Sequence, residues 1–561
     1  MSTSAQAGAP AAADQSTFEI PPATKRCVMA FILVGFAHLA VGIVMGFLQG
    51  MSYMGIDLFP FVGIFDNYYQ ALSIHGTFNV LMFTTFFILG FLTLVTVKTL
   101  QRPLWSTGLL RVNFWLTLVG ALLTDWALLT GRGTVLFTSY APLQAHPAYY
   151  IGLALVVVGT LVLLLNLVVT YIHWRRDNPG QRTPLMAFAA LTTLIMWGLA
   201  TFGVVVQFVG MLIPWSLGLL EGVDPLLSRT LFWQSGHPIV YFWLLPAYIS
   251  WYFMLPAQNG GKLFSESLAR LAFLLFIPLS LPVGFHHQFV DPGVSEGYKA
   301  LHAFITFGVF MPSMITAFTV LASLETGARS RGGQGRLGWI RRLNWSNPAV
   351  AAQLLGMIIF ALGGISGLVN ASFNLNLVVH NTLFVPGHFH LTVGTAVALT
   401  FMGTAYWLVP HLTGRKLWGG RLAIAQVWLW FVGMLLMSRG MTWAGLQGAP
   451  RRTFMAGATY KLPEWTSSFQ LLGVGGAILT VSGVLFFVIL AATLLNKARV
   501  EASEVEFPIA TPLYQENVPG LLDRFAPWVV VAVLLVVMGY GPMYWQMLND
   551  LQMTSPGFRS F

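Results

Sequence analysis

Histidines are the residues of this sequence whose type and spacing could support metal chemistry. Three short segments contain several of the twelve histidines: GHPIVY at 236–241, FHH at 285–287 and PGHFH at 386–390. His380 precedes the last segment, and His75 stands alone in the second apolar stretch. Cys27 is the single cysteine, which excludes disulfides, cysteine-ligated iron–sulfur clusters, two-thiolate copper centres and covalently attached c-type haem. Any metal must therefore be bound by imidazole or oxygen ligands.

The composition indicates the surroundings in which these histidines must work. Of 561 residues, 56% are hydrophobic and only 9% are charged, whereas soluble domains carry about 25% charged residues. A chain with so few polar groups cannot form a polar surface toward water, so its solvent must be a lipid bilayer. The same composition excludes nucleic acid as a partner.

The chain contains thirteen apolar stretches that are long enough to cross a bilayer. They lie near residues 27–49, 71–97, 108–131, 148–173, 185–213, 227–256, 268–290, 298–324, 349–372, 381–409, 421–443, 468–494 and 524–548. Most Lys and Arg residues fall on the inner side if the N-terminus is cytoplasmic and the C-terminus is outside. The sequence thus predicts an all-α polytopic membrane protein of about thirteen transmembrane helices. Residues 1–24 are expected to form a disordered tail and residues 25–561 a single membrane domain.

This topology brings the histidines to one depth in the bilayer. Six of them, from four spans, reach the same level in the outer part of the membrane: His75, His237, His286, His287, His388 and His390. Ionisable groups are costly inside a bilayer and are functional candidates by default. Their convergence therefore indicates a layer of metal sites.

Helix geometry divides these histidines among metals. Residues two apart on an α-helix differ by about 200°, so His388 and His390 project to opposite faces and can serve two centres. Adjacent His286 and His287, about 100° apart on an α-helix, could bracket one ion with His237 as a third ligand, a set that suits copper. One arrangement uses all six: a closed haem on His75 and His390, an open haem on His388, and a three-histidine metal facing the open haem.

Each histidine taken alone allows a simpler interpretation. His75 could be a packing or hydrogen-bonding residue, and His286 with His287 could be an interfacial pair. His237 could merely pack against Tyr241, four residues later. Only the combination at one depth favours metal binding.

The three histidine segments resemble those of the haem–copper oxygen reductases, subunit I, over nearly the whole chain. The resemblance implies a low-spin haem on His75 and His390, a high-spin haem on His388, and copper B on the other three histidines. It also implies that Tyr241 is covalently joined to His237 and supplies an electron and a proton when the O–O bond breaks. A spacing of four residues puts both side chains on one helix face.

Two features resemble the B-family, ba-type branch. Ile239 stands where A-type enzymes have a glutamate at the end of a proton channel. The segments FWQSGHPIVYFWLLPAY, LPVGFHHQFVDPG and LIPWSLGLLEGVDP are similar to those of ba-type cytochrome c oxidases. The resemblance implies a proton-pumping terminal oxidase of a bacterial inner membrane, with a b-type low-spin haem, a high-spin haem of a-type or related type, and copper B. Expected partners are O2, cytochrome c, a subunit II with a dinuclear copper centre and a small membrane subunit.

Hydroxyl groups of the sixth and eighth spans could carry protons. Tyr241, Tyr248 and Tyr252 occupy positions i, i+7 and i+11, which places them on one helix face over about 16 Å of rise. Ser313 and Thr316, one turn apart, could complete the relay. The arrangement resembles the single K-type pathway of ba-type enzymes, for which a partner subunit is expected to supply the first carboxylate. The alternative is that these amphipathic tyrosines only pack between helices.

The remaining candidates lie on the outer side. Arg451 and Arg452 could hold haem propionates through bidentate hydrogen bonds, as the matching pair does in the family, or could be interfacial anchors. His380 resembles the family histidine near the high-spin haem propionates. Asn376 stands where ba-type relatives can carry aspartate, so pumping could differ in detail. Trp233 is expected to pack against the copper site.

Three other functions have to be distinguished from this one. A nitric oxide reductase of the same superfamily would have non-haem iron with glutamate ligands and would lack the tyrosine that this sequence has at position 241. A quinol-oxidising variant would lack the copper-bearing second subunit. A transporter or channel could line its pore with histidines, and it would show no Soret band.

Overall fold

The structure is a computed structural model that describes residues 18–63, 67–550 and 552–561. We number its thirteen principal helices α1 to α13. In chain order they are Pro22–Tyr53, Tyr68–Leu100, Thr107–Leu129, Pro147–Asp177, Leu185–Ser216, Pro225–Gln258, Glu266–Ser280, Glu296–Ser330, Pro348–Ala371, Phe384–Thr413, Gly420–Leu446, Pro463–Leu495 and Ala526–Asn549. Shorter helical segments are Phe59–Val62 and Phe373–Val379, with 3₁₀ turns at Gly284–Gln288, Gly338–Arg342, Ala502–Val505 and Gly520–Asp523.

Twelve of the described helices are long and apolar enough to span a membrane. Each coincides with one of the predicted stretches, which confirms an all-helical, multi-span membrane protein. One short helix, α7, occupies the place of the remaining stretch.

The predicted seventh span is wrong in its second half. Helix α7 has only 15 residues, about 22 Å, and the chain then passes through Pro282 into the 3₁₀ turn Gly284–Gln288. Proline lacks the N–H that a helix interior requires. His286 and His287 therefore lie on a 3₁₀ turn, where successive side chains are about 120° apart, and not on an α-helix.

The N-terminal boundary also differs from the prediction. Helix α1 begins at Pro22, within the segment expected to be a tail, because proline is well suited to the first helical position. Residues 1–17 lie outside the described residues. The predicted disorder of that part stays a prediction.

Small residues let neighbouring helices approach closely. A Cβ atom added to Gly120 of α3 would lie 2.5 Å from the carbonyl oxygen of Gly152 on α4. A Cβ atom added to Gly152 would likewise lie 2.5 Å from the carbonyl oxygen of Gly120. Such contacts are typical of helix packing in membranes, where lipid offers no hydrophobic drive for association. A polar contact between His38 and Asp125 also joins α1 to α3, with 3.0 Å between Nε2 and Oδ2.

Three π-helical segments adjoin the candidate functional residues. Thr77–Phe83 begins two residues after His75, and Thr392–Val397 begins two residues after His390. A third, Ser250–Met254, contains Tyr252. A π turn changes the helical phase and is frequent at functional sites, so these segments set the directions in which the histidines and tyrosines point.

Candidate metal centre

Helix α6 and the 3₁₀ turn after α7 bring three histidines together. The ligand-capable atoms of His237, His286 and His287 all lie within 4.8 Å of one another. The distance from His237 Nδ1 to His287 Nε2 is 3.1 Å, and the ring centres of His237 and His286 are 4.2 Å apart. This spacing brings three imidazoles to a single point, as a bound metal ion requires.

Hydrogen bonds outside the cluster determine which nitrogens are free to bind. His286 Nδ1 lies 2.9 Å from Thr306 Oγ1, whose own proton goes to the His302 carbonyl oxygen at 2.6 Å. Thr306 therefore accepts from His286 Nδ1–H, which leaves the Nε2 lone pair available. His237 Nε2 lies 2.9 Å from the Tyr241 hydroxyl. The Nδ1 atom of His237 then faces the cluster.

Trp233 covers one side of this cluster. Its ring lies flat on that of His287, with 3.7 Å between centres and 4° between planes. Both Trp233 and His237 belong to α6, one helical turn apart, and His237 N–H donates to the Trp233 carbonyl at 3.2 Å. The stacking fixes the His287 ring plane.

His75 of α2 and His390 of α10 form a second pair. Their ring centres are 6.1 Å apart with planes inclined by 23°, a separation that suits two imidazoles on opposite sides of one ion with bonds of about 2 Å. His75 Nδ1 lies 2.8 Å from the Gly42 carbonyl oxygen, and His390 Nδ1 lies 2.7 Å from that of Pro386. Each Nδ1–H donates to a carbonyl, so each Nε2 is left as a ligand.

His388 turns away from this pair toward α9. Its Nδ1 lies 3.0 Å from the Gly363 carbonyl oxygen and 3.0 Å from Ser366 Oγ. A Cβ atom at Gly367 would come within 3.1 Å of its ring. The structure thus places His388 and His390 against different helices.

One cavity of about 430 Å³ joins these groups. Its size lies within the range of small-molecule and cofactor pockets. The sequence-predicted residues that line it are His75, Trp233, His237, Tyr241, His286, His287, Ser313, Asn376, His380, His388, His390, Arg451 and Arg452.

Buried positive charge collects at one edge of the cavity. Burial lowers the pKa of Arg451 to about 9, and the neighbouring Arg452 acts in the same direction. Burial also lowers the pKa of Arg452. Arg229 donates to Asp291 at 3.0 Å, and burial raises the pKa of that carboxyl although Arg229 opposes the shift. Among the described residues, the buried Nε atoms of Arg229 and Arg451 have no hydrogen-bond partner, so this edge suits carboxylate groups of a ligand.

His380 is held as a neutral imidazole beside these arginines. Burial and the positive charge of Arg451 lower the pKa of His380 to about 4. Asn376 Nδ2 donates to the Asn370 carbonyl oxygen at 2.7 Å, so its Oδ1 accepts from His380 Nδ1 at 3.0 Å. Asn381, with a left-handed φ of 60°, accepts from Arg451 Nη2 at 2.8 Å.

Hydroxyl pairs connect α6 with α8. The Tyr248 hydroxyl donates to Ser313 Oγ at 3.0 Å, and the Tyr252 hydroxyl donates to Thr316 Oγ1 at 3.0 Å. All three tyrosines of the predicted face are buried.

Several residues around the site were not predicted from the sequence. Thr306 and Ser366 orient the histidines, and Arg229 with Asp291 completes the charged edge. Single polar residues in apolar helices were the available signal, but such residues occur in every span. Asn79, whose Nδ2 lies 3.1 Å from His75 Nδ1, is one turn from a predicted ligand and could have been found by spacing.

Comparisons with known proteins agree with this geometry. Residues 26–479 match the family described as Cytochrome C and Quinol oxidase polypeptide I. The chain is 44% identical over 546 residues to cytochrome c oxidase subunit 1 of Thermus thermophilus, covering 95% of this chain and 97% of that protein. It is 28% identical to cytochrome c oxidase polypeptide 1 of Halobacterium salinarum, covering 70% and 66%.

A solved structure shows the same fold. It is described as a heme-copper terminal oxidase dimer, and it matches with a TM-score of 0.92 at 39% identity over 96% of each chain. The chain therefore belongs to the cytochrome c and quinol oxidase polypeptide I family, the subunit I family of haem–copper oxidases, and is an oxidoreductase with the terminal-oxidase fold.

Proposed function

We propose that this chain is the catalytic subunit of a B-family, ba-type cytochrome c oxidase that reduces O2 to water and pumps protons. Its electrons would come from cytochrome c through a subunit II with a dinuclear copper centre, alongside a small membrane subunit. It would lie in a bacterial inner membrane with its N-terminus inside and its C-terminus outside. The supporting observation is the three-histidine cluster with the Tyr241 hydroxyl 2.9 Å from His237 Nε2.

The residues around the cavity fit two haems and one copper ion. The available Nε2 atoms of His75 and His390 would hold a b-type low-spin haem, and His388 a high-spin haem of a-type or related type. His237, His286 and His287 would hold copper B. When bound, these groups would supply electron transfer and the activation of O2.

Tyr241 would be the proton source nearest to the reaction. Its hydroxyl is one hydrogen bond from His237 and lies on the wall of the same cavity. A buried tyrosine surrounded by hydrophobic helices gives up its proton only to a specific acceptor, so its geometry controls when the proton leaves. This is the role implied by the family resemblance.

Proton delivery would follow the hydroxyl groups behind Tyr241. Tyr248 donates to Ser313 and Tyr252 donates to Thr316, and a hydroxyl group can both accept and donate once it rotates. Such pairs can reverse their direction after a proton has passed. A carboxylate from a partner subunit would begin the path.

The charged edge of the cavity would hold the haem propionates. Arg451 and Arg452 bring two buried guanidinium groups, and the ion pairs found among the described residues include neither of them. His380 and Asn376 would lie beside the propionates as a neutral pair. Because Asn376 cannot ionise, proton storage there would depend on His380 and the propionates. Trp233 would hold the His287 ring in place.

The geometry disfavours the reductase alternative. Within the described residues, the cluster contains three histidines and no carboxylate, whereas a nitric oxide reductase would require glutamate beside its non-haem iron. Tyr241 also matches the oxidase pattern. The quinol-oxidising variant differs only in its donor, which the second subunit would determine.

Metal and haem analysis of the purified complex tests the proposal. We expect a Soret band, haem iron on two spectroscopically distinct sites, and copper retained by this chain after the second subunit is removed. Non-haem iron in place of copper would support the reductase, and the lack of haem would exclude both. Oxidation rates with reduced cytochrome c and with quinol, measured side by side, identify the donor.

A further inference from the structure

The last helix contacts the site although it lies beyond the residues that match the family. The match covers residues 26–479, and α13 spans Ala526–Asn549. Its inner face packs against the 3₁₀ turn that carries His286 and His287. There Phe285 and Tyr540 form a hydrophobic cluster, with ring centres 5.2 Å apart.

The backbone of that turn depends on side chains for its hydrogen bonds. Because α7 ends before Pro282, the following N–H groups lack the regular partners of an α-helix. The Gly284 N–H donates to the Tyr540 hydroxyl at 2.8 Å. A Cβ atom at Gly284 would lie 2.5 Å from that hydroxyl and 2.5 Å from the Trp233 carbonyl oxygen. Position 284 is therefore confined between α6 and α13.

A second connection from α13 reaches the next residue of the turn. The Gly539 carbonyl oxygen accepts from His302 Nε2 at 3.0 Å. His302 Nδ1 then accepts from the Phe285 N–H at 3.3 Å. Since both outer partners are backbone groups, His302 can satisfy both only as the neutral Nε2–H form.

The same helix also holds the part of α6 that precedes His237. The Tyr544 hydroxyl donates to Gln234 Oε1 at 2.6 Å, and the Tyr540 and Tyr544 rings stack with centres 5.8 Å apart. Helix α13 thus touches both segments that contribute to the three-histidine cluster. It does so from the side away from the cavity.

We propose that α13 positions the copper ligands. Tyr540 is the principal positioning residue, and His302 is a second one that links the Gly539 carbonyl of α13 to the Phe285 N–H of the turn. This inference rests on the proposed copper site. Tyr540 supplies the acceptor that keeps Gly284–Gln288 in its 3₁₀ conformation, so that His286 and His287 point at His237. Loss of its hydroxyl leaves a buried N–H without a partner and lets the turn relax.

The test compares Tyr540→Phe with Tyr406→Phe in the intact complex. Tyr540→Phe keeps the ring and removes only the hydroxyl, while Tyr406 is an equally buried tyrosine whose hydroxyl bonds Gln426 away from the cluster. The readouts are the rate of copper loss to a Cu(I) chelator and the infrared band of CO bound to copper after photolysis. We expect Tyr540→Phe to lose copper about 10-fold faster and to broaden or split the CO band, and Tyr406→Phe to match the parent.

Suppose that the parent complex holds copper and that Tyr540→Phe releases it at the parental rate with an unchanged CO band. That result would overturn the positioning role of α13 and leave the proposed function intact. A parent without copper would overturn both this inference and the proposed function. Should Tyr540→Phe fail to assemble, His302→Phe decides, because it keeps an aromatic ring and removes both hydrogen bonds. Parental behaviour of that variant contradicts the positioning role, and faster copper loss supports it.

Discussion

The six candidate ligand histidines and the tyrosine face of α6 are both polar regions inside the helix bundle, but they are stabilised in different ways. Three of the imidazoles, those of His75, His388 and His390, are held by backbone carbonyl groups. A carbonyl can only accept, so each of these three rings keeps one tautomer and one orientation. The Tyr248 and Tyr252 hydroxyls instead donate to other hydroxyls, and a hydroxyl, unlike a carbonyl, can both accept and donate.

This difference matches what each region would have to do. A metal ligand must present a lone pair continuously, and fixed acceptors ensure that it does. A proton path needs partners whose hydrogen bonds can reverse. Tyr241 belongs to both regions, since it contacts His237 and starts the tyrosine face.

The largest effects are expected from replacing His388 and His390 of α10 one at a time. His390→Ala should remove the low-spin haem and keep the high-spin one, and His388→Ala should do the reverse, because the rings face different helices. Oxygen consumption should be lost in both. Reduced-minus-oxidised spectra and CO binding measure the two haems separately. Loss of both haems from one substitution would contradict the division of ligands, and His411→Ala serves as a control outside the cavity.

Replacing Tyr241 should break the link between the two regions without removing cofactors. Tyr241→Phe should lower turnover by about 100-fold or more, as expected for loss of a positioned proton donor, with both haems and copper retained. An oxygen electrode and the optical spectrum provide the measurement. Tyr406→Phe removes an equally buried hydroxyl outside both regions and should leave turnover unchanged. Parental turnover in Tyr241→Phe would refute its assigned role.

Substitutions along the tyrosine face should slow proton uptake by a smaller factor. Tyr248→Phe and Tyr252→Phe should each reduce turnover about 10-fold, because water can partly replace a missing hydroxyl. The solvent deuterium isotope effect on turnover should rise. Thr316→Ser keeps a hydroxyl next to Tyr252 and should be nearly parental, whereas Thr316→Val should not. Equal rates for these two Thr316 variants would indicate that the tyrosines serve packing only.

The smallest effect concerns thermal stability and the Glu516 carboxylate, which accepts hydrogen bonds at the start of α7. Burial alone would raise the pKa of Glu516, but hydrogen bonds from Ser265, Glu266 and Ser267 outweigh it and lower the pKa. A lowered pKa gives stability that is complete above the ordinary value of 4.5 and is lost as the pH falls through the folded value. Glu516→Gln should lower Tm by about 1–2 °C at pH 7, because the carboxylate is only partly buried and solvent screens its interactions.

Thermal unfolding in detergent at several pH values measures this contribution. The Tm difference between Glu516→Gln and the parent should shrink as the pH falls below about 4.5. Glu504→Gln, at an exposed 3₁₀ residue, provides the comparison and should match the parent at each pH. A Tm difference for Glu516→Gln that grows on acidification would contradict the sign of the shift.

The sequence by itself determined the features that depend on local periodicity. Apolar length predicted twelve of the spanning helices, and a spacing of four residues placed Tyr241 beside His237. Spacing also predicted the opposite directions of His388 and His390. These relations hold because residues within one helix are fixed relative to one another by its 3.6-residue turn.

The tertiary structure decided what crosses from one helix to another. Proline in the seventh span ended α7 and moved two candidate ligands onto a 3₁₀ turn, which apolar length could not reveal. Thr306 and Tyr540 reach that turn from other helices, separated in the chain from Phe285 by tens to hundreds of residues. Bonds of this kind depend on how helices pack and rotate against each other, and no local pattern of residues encodes that choice.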